Sequence, residues 1–157
     1  MNIKDFFLIP GVVFFSVVIC SAQPAKKAVT APPTSINSSA AQTIKSTPAY
    51  AEILLRKTEL ESELEDLLVA YTDEFPKVKE IRRELNLIQR DLARLLSQNA
   101  ADAAKMTLAL GKLLVRRAEL ETDAWSLQTK YGVEHPDVKR ALRRVSTFEK
   151  AISEILP

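Results

Sequence analysis

The sequence predicts an all-α protein built from two tandem antiparallel helical hairpins of coiled-coil type. Three observations support this class. The chain contains only three Gly, and Leu, Ala, Glu, Lys and Arg are abundant after position 48, a helix-rich composition. Apolar residues recur there at alternating steps of three and four, the spacing of one helix face. The second half repeats the first at an offset of sixty residues, which indicates an internal duplication.

The first predicted hairpin begins with a capping signal. Thr47 offers a hydroxyl group, and Pro48 follows at the first helical position, where a missing N–H costs nothing. Pro76 disfavours a helical conformation in the residue before it and is well placed to begin a new helix. We therefore expect helices over 48–71 and 76–97, closed by a short loop. The predicted seam residues are Ile53, Leu60, Leu64, Leu67 and Tyr71 on the first helix, and Val78, Ile81, Leu85, Ile88, Leu92 and Leu95 on the second.

The second hairpin copies the first, because residues 54–96 align with residues 114–156 without a gap. The repeated positions include both the turns and the apolar seams. Identical pairs include Arg56/Arg116, Leu60/Leu120, Tyr71/Tyr131, Glu74/Glu134, Pro76/Pro136, Val78/Val138 and Lys79/Lys139. A single hairpin is marginally stable by its seam alone, so we expect the hairpins to pack together or to self-associate.

The joint between the copies, residues 97–105, leaves two arrangements open. It contains no Pro or Gly, so one continuous helix over 76–131 is allowed. The eleven residues from Leu95 to Met106 make about three turns, which would keep both seams on nearly the same face. Asn99 and Asp102 instead favour helix ends, which would give four separate helices. Of the two, the long central helix is the arrangement we expect.

The N-terminal region carries a targeting pattern. Lys4, an apolar run over 6–20 and the small residues that end at Ala22 predict a signal peptide over 1–22. An uncleaved anchor and lipidation at Cys20 are the alternatives. The Pro-, Ala-, Ser- and Thr-rich stretch over 23–47 predicts a disordered linker. The hairpin repeats then occupy 48–98 and 99–157. We expect an exported protein, periplasmic or secreted, that meets a membrane only through its N-terminus if that is retained or lipidated.

The sequence offers little chemistry for an active site. His135 is the single histidine, so no histidine-based metal cluster is expected. No glycine-rich phosphate loop or nucleophile motif is present. The formal net charge is +2 and the acids and bases alternate, which argues against a nucleic-acid partner. We expect no catalytic residue, no cofactor and no metal.

The aromatic residues are the candidate interface residues. Trp125 replaces Glu65 of the first copy, so the repeat itself does not require an aromatic ring there. It is expected either to cover the small Ala124 or to lie at an interface between hairpins or subunits. Tyr71 and Tyr131 are expected to pack beneath the loops, with a binding role as the alternative. Pro76, Pro136 and His135 are the predicted turn residues, with His135 capping the following helix.

The two turn segments carry a family resemblance. Residues 71–81 and 131–141 are similar to the helix–turn–helix in the periplasmic coiled-coil regions of polysaccharide co-polymerases and exopolysaccharide export proteins. There, a tyrosine is followed by a short acidic loop and a His-Pro-Asp/Glu-Val motif. Residues 135–138 of the second copy match that motif, whereas the first copy has Phe75 and Lys77. The resemblance implies a helical hairpin and a location in the cell envelope.

The functional expectation is a structural or protein-interaction module of the bacterial cell envelope. Its expected partner is a second copy of the chain or another envelope protein. Two alternatives stay open: a periplasmic holdase-type chaperone or adaptor, and an accessory of polysaccharide assembly or export.

Overall fold

A computed structural model of the chain describes residues 35–156 and confirms the all-α class, because this range contains helices and no strand. The predicted signal peptide and Cys20 lie outside the described residues. The elements are α1 (Ser35–Lys45), α2 (Pro48–Ala70), α3 (Pro76–Leu96), a 3₁₀ helix (Ala100–Lys105), α4 (Leu108–Tyr131) and α5 (Pro136–Ile155).

The helices begin at the residues whose chemistry favours a start. The hydroxyl of Thr47 accepts a hydrogen bond from the Tyr50 amide at 3.4 Å, as the sequence predicts for an N-cap. The hydroxyl of Thr107, sixty residues later, accepts from the Leu110 amide at 3.4 Å. The duplication therefore extends to the helix caps. Pro76 and Pro136 occupy the first turns of α3 and α5.

The expected long central helix is wrong. α3 ends at Leu96, and Asn99 adopts an extended backbone before the 3₁₀ helix. The interruption lets α4 pack against both α2 and α3. The turn is held by Met106, which is fully buried and whose carbonyl accepts a hydrogen bond from the Ala49 amide at 3.1 Å. A continuous helix would have carried α4 away from α2 and exposed residues such as Leu110, so burial of apolar surface favours the break.

The described part of the expected disordered linker is also helical. α1 occupies residues 35–45 and packs against the 3₁₀ helix, α3 and α2. Ile44 is fully buried in the core, which gives this polar segment an apolar anchor. The Thr47 hydroxyl donates a hydrogen bond to the Ile44 carbonyl at 2.7 Å and joins α1 to the start of α2. Composition alone conceals this helix because its apolar anchor, Ile44, is buried against residues that lie far from it in the chain.

The neighbouring helices pack in pairs, and α4 lies at the centre. α2 packs on α3, α4 packs on α5, and α4 also contacts α2 and α3. Ion pairs join α2 to α3 in reversed chain order: Lys77 with Glu63 close to the loop, and Arg56 with Glu84 farther from it. That order is typical of helices that run in opposite directions.

The core is concentrated away from the loops. All the seam residues that the sequence predicts on α3 are buried. On α2, Ile53 and Leu60 are buried, Leu64 and Leu67 are partly buried, and Tyr71 is half exposed. The main apolar cluster gathers α1, α2, α3, α4 and the end of α5, and a smaller cluster of Leu120, Ala124 and Val145 lies between α4 and α5. The loop-proximal half of α2 is therefore held by few buried contacts.

Gly111 marks the closest approach of α4 to α2. A Cβ atom there would lie 2.8 Å from the Glu52 Cβ and 3.0 Å from the Ala49 backbone. We expect Gly111→Ala to lower the free energy of unfolding, because overpacking by a methyl group costs about 1–3 kcal/mol. The higher helix propensity of Ala opposes this by up to about 1 kcal/mol.

Urea unfolding followed by circular dichroism measures this effect. Ala109→Gly, at an exposed position of the same helix, calibrates the propensity contribution alone. If Gly111→Ala stabilises the protein by as much as Ala109→Gly destabilises it, the contact between α4 and α2 has room for a side chain.

Candidate functional site

The two loops are built alike around stacked rings. The Tyr71 ring stacks on Phe75 with centroids 4.1 Å apart, and the Tyr131 ring stacks on His135 at 4.6 Å. In each case the second ring precedes the proline that begins the next helix. His135 Nδ1 accepts a hydrogen bond from the Asp137 amide at 3.2 Å and caps α5, as its predicted role requires. Equivalent ion pairs, Lys79–Glu74 and Lys139–Glu134, flank the turns. These contacts shape the loops, while both tyrosine rings stay about half exposed.

Trp125 lies where the two repeats meet. The Arg83 guanidinium carbon is 5.3 Å from the centroid of the indole ring, within range of a cation–π interaction. Because Arg83 belongs to α3 of the first repeat and Trp125 to α4 of the second, the ring lies between the repeats. Its side chain is partly buried and leaves part of the indole exposed.

The indole lines an open groove of about 620 Å³. The lining residues of this groove come from α3, α4 and α5. Four arginines line it: Arg83, Arg90 and Arg94 from α3, and Arg117 from α4. The remaining lining residues are Asp91, Glu121, Ala124, Gln128, Leu142, Val145 and Glu149. We call this feature the Trp125 groove.

Carboxylates in the Trp125 groove are shared among several guanidinium groups. Arg117 holds Asp91 through two short contacts, Nη2 to Oδ1 at 2.8 Å and Nη2 to Oδ2 at 2.6 Å, and also contacts Glu121 at 2.8 Å. The Nη2 atoms of Arg83 and Arg90 each lie 3.6 Å from the same Glu121 Oε1. Within residues 35–156, the buried Nε of Arg83 has no hydrogen-bond partner. One guanidinium N–H of the groove therefore lacks an acceptor among the described residues.

A second buried ion pair lies on the side of α3 that faces α2. Arg56 donates from Nε to Glu84 Oε1 at 2.8 Å, and its Nη2 lies 2.7 Å from the same oxygen. Burial raises the pKa of the Glu84 carboxyl despite the opposing effect of Arg56, and burial likewise raises the pKa of the Asp91 carboxyl despite Arg117.

Burial of these two acids changes the surface charge of α3. Glu84 and Asp91 point inward, whereas most of the basic residues of the helix stay at the surface. The alternating charges of the sequence therefore become a basic outer face. Sequence reasoning missed this face and the groove arginines. One sequence signal could have indicated that the two acids are buried. Glu84 and Asp91 are seven residues apart, one heptad, and each comes directly before a leucine of the predicted seam.

The raised pKa values predict a pH dependence of stability. A carboxyl whose folded-state pKa is raised keeps a proton that the unfolded chain has released. Its favourable contribution to the free energy of unfolding is complete below the ordinary pKa of about 4. That contribution declines as the pH rises through the raised pKa of the folded state. We expect the stability of the wild type relative to Asp91→Asn to fall as the pH rises from about 4 towards neutrality.

Urea unfolding at several pH values measures that difference. Glu154→Gln removes an exposed carboxylate on α5, away from the buried ion pairs, and is measured alongside as the control. A constant difference for Asp91→Asn would contradict the raised pKa.

Two further findings concern the part of the chain that the structure describes. Residues 35–156 contain no group of three or more His, Cys, Asp or Glu side chains arranged to hold a metal ion. No helix in this range combines the length and the apolar character that a membrane crossing requires.

Comparison with known proteins gave no match to a protein-family model, to a curated protein or to a solved structure.

Proposed function

We propose that the chain is a non-catalytic helical interaction module of the bacterial cell envelope and that the Trp125 groove is its docking site for a protein partner. The observation that carries the proposal is the partly exposed indole beside four arginines in one open groove. Tryptophan and arginine are the residue types most enriched among the energetically dominant residues of protein interfaces.

The chemistry of the groove supports binding. Arginine stays protonated at every physiological pH, so its guanidinium group binds and orients acceptors and does not exchange protons with a substrate. The indole and the apolar side chains of Leu142 and Val145 add surface that a partner can bury. A partner with carboxylates beside apolar side chains would match both features.

The proposed envelope location rests on the N-terminal sequence and on the turn resemblance. The signal pattern over 1–22 would direct the chain out of the cytoplasm. Retention of the N-terminus, or lipidation at Cys20, would hold the helices close to a membrane. Mass spectrometry of the exported chain tests this part, because an N-terminus at Gln23 would exclude both the anchor and the lipid.

A client-binding chaperone is the second candidate, favoured by exposed apolar residues on α2. Leu54, Leu55, Leu68 and Val69 are all at least 40% exposed. Such side chains can bind unfolded clients. Protection of an aggregating model client at stoichiometric concentration would support this function, and loss of protection in Val69→Ser would assign it to α2.

Cross-linking in the producing cells tests the interaction module. The full chain, its Trp125→Ala variant and its Arg90→Glu variant are each recovered after cross-linking, and the attached proteins are identified by mass spectrometry. We expect both groove variants to lose the cross-linked partner. Lys112→Glu, a charge reversal at an exposed position of α4 outside the groove, should retain it. Equal recovery with all four proteins would overturn the proposal.

A further inference from the structure

The outward face of α2 combines apolar and acidic side chains. Leu55 and Val69 are 57% and 88% exposed, and Leu54 and Leu68 are about 40% exposed. At 100° per residue, these four positions share one side of the helix with Glu61 and Glu65. We call this surface the α2 outer face.

The α2 outer face is acidic as well as apolar. Six carboxylates lie between Pro48 and Ala70, against the two bases Arg56 and Lys57. Arg56 is directed inward to Glu84, and Lys57 is paired with Glu61. Glu65 and Asp66 are exposed and make no ion pair within residues 35–156. This face therefore carries unneutralised negative charge beside exposed leucine and valine side chains.

The Trp125 groove has the complementary character. α3 contributes Arg83, Arg90, Arg94 and the buried Asp91 to its lining, and α4 and α5 contribute the indole and apolar side chains together with Arg117, Glu121 and Glu149. Four arginines against three carboxylates leave the lining with a net positive charge. The Arg90 side chain is 65% exposed, and its ion-pair partner within residues 35–156 is the shared Glu121, at 3.6 Å. Negative charge beside apolar surface on α2 thus matches positive charge beside apolar surface in the groove.

The two surfaces cannot meet within one molecule. α2 uses its other side, with Ile53 and Leu60, to pack against α3 and α4. Its outer face therefore points away from the helices that form the groove, and no α2 residue lines the groove. A contact between the two surfaces must join separate molecules.

We propose that the α2 outer face of one molecule docks into the Trp125 groove of a second copy of this chain. This inference rests on the proposed function of the groove as a docking site and names its occupant. Glu65 and Asp66 face the groove arginines in this contact, and Leu68 and Val69 cover the indole. Because different surfaces of the two copies meet, the contact is heterologous. The first copy keeps a free groove and the second keeps a free α2 outer face, so further copies can add at both ends.

The lengths of the two surfaces agree. Arg83 and Arg94 are eleven residues apart on α3, about 16 Å along the helix axis. Leu55 and Val69 are fourteen residues apart on α2, about 21 Å. The α2 outer face therefore spans the full row of groove arginines.

The first test uses the full chain at increasing concentration, followed by sedimentation velocity and by tryptophan fluorescence. Trp125 is the only tryptophan, so the emission reports on the groove alone. We expect the sedimenting mass to rise and the emission to shift to the blue over the same concentration range. Both changes should weaken in high salt, because salt screens charges at the rim. A chain that stays monomeric at all concentrations would overturn the inference.

The second test reverses the charge on each surface. Arg90→Glu makes the groove acidic, and Glu65→Lys/Asp66→Lys makes the α2 face basic. We expect each protein alone to associate about tenfold or more weakly, because like charges then meet. An equimolar mixture should regain association, since the unchanged groove of one variant meets the unchanged α2 face of the other. Lys112→Glu and Glu154→Lys, at exposed positions elsewhere, should associate as the wild type does. A mixture that does not associate would refute the pairing of these surfaces.

These tests separate failure of this inference from failure of the proposed function. If the chain does not self-associate but cross-linking in cells still depends on Trp125, the occupant is another protein. That result would overturn the second copy as the occupant and leave the docking site in place. If the chain does not self-associate and cross-linking in cells does not depend on Trp125, both proposals fail.

Discussion

Arg117→Met is expected to lower the free energy of unfolding by about 3–5 kcal/mol, the cost of removing one partner of a buried ion pair. The side chains of Arg117 and Asp91 are 11% and 7% exposed, and two short contacts join them. Methionine keeps most of the side-chain volume, so the loss reports mainly on the charge left at Asp91. Burial already raises the pKa of that carboxyl, and without its guanidinium partner its ionised form becomes still less favourable. Urea unfolding near neutral pH measures the loss.

The double variant Asp91→Leu/Arg117→Met provides the decisive comparison. With both charges removed, no ion stays buried without a partner, and apolar replacements of similar volume are often neutral or stabilising. We therefore expect the double variant to recover most of the stability that the single variant loses. Lys112→Met, at an exposed position of the same helix, should change the stability little. A double variant as unstable as Arg117→Met would show that the ion pair holds α3 to α4 by more than charge neutralisation.

Ile88→Ala is expected to lower the free energy of unfolding by about 2–5 kcal/mol, the cost of a cavity in a packed core. Ile88 lies near the middle of the α3 seam, is fully buried and belongs to the main apolar cluster. Leu68→Ala removes an aliphatic side chain of the same size from the loop-proximal half of α2, where the residue is 40% exposed. We expect a change of roughly 0.5 kcal/mol or less there.

Thermal and urea unfolding of the two variants measure this contrast. Equal losses would mean that the loop-proximal half of α2 is covered in solution, and a loss at Leu68 that grows with protein concentration would point to a second molecule. The comparison therefore also bears on the proposed contact of the α2 outer face.

Much of the helical pattern could be predicted because it depends on local chemistry. The cap at Thr47 and the starts at Pro76 and Pro136 follow from the hydrogen-bonding and steric properties of single residues. The burial of the α3 seam follows from the helical period. The α2 seam was predicted less well, since Tyr71 is half exposed and Leu64 only partly buried. Periodicity shows which face a helix can bury but not how far along its length another helix covers it.

The candidate site could not be predicted from local chemistry. The sequence identified Trp125 as a candidate because the first repeat has no aromatic residue there. The residues next to Trp125 in the sequence do not indicate its contact with Arg83, which lies 42 positions earlier. α1 was missed, and the break after Leu96 was the less favoured of two arrangements, for a related reason. Each depends on the burial of a distant residue, Ile44 in one case and Met106 in the other. Contacts far apart in the chain are absent from any window of sequence.

The sequence by itself determined the helical class, the sixty-residue duplication and the starts of α2, α3 and α5, because periodicity, proline and capping hydroxyls act over a few residues. Only the tertiary structure decided how the charges are displayed. By packing α4 against both α2 and α3, the tertiary structure buries Glu84 and Asp91 against arginines of the neighbouring helices. Most bases of α3 stay at the surface. Alternating charges in the chain thereby become an acidic α2 face and a basic groove, since the burial of an ion depends on its neighbours in space.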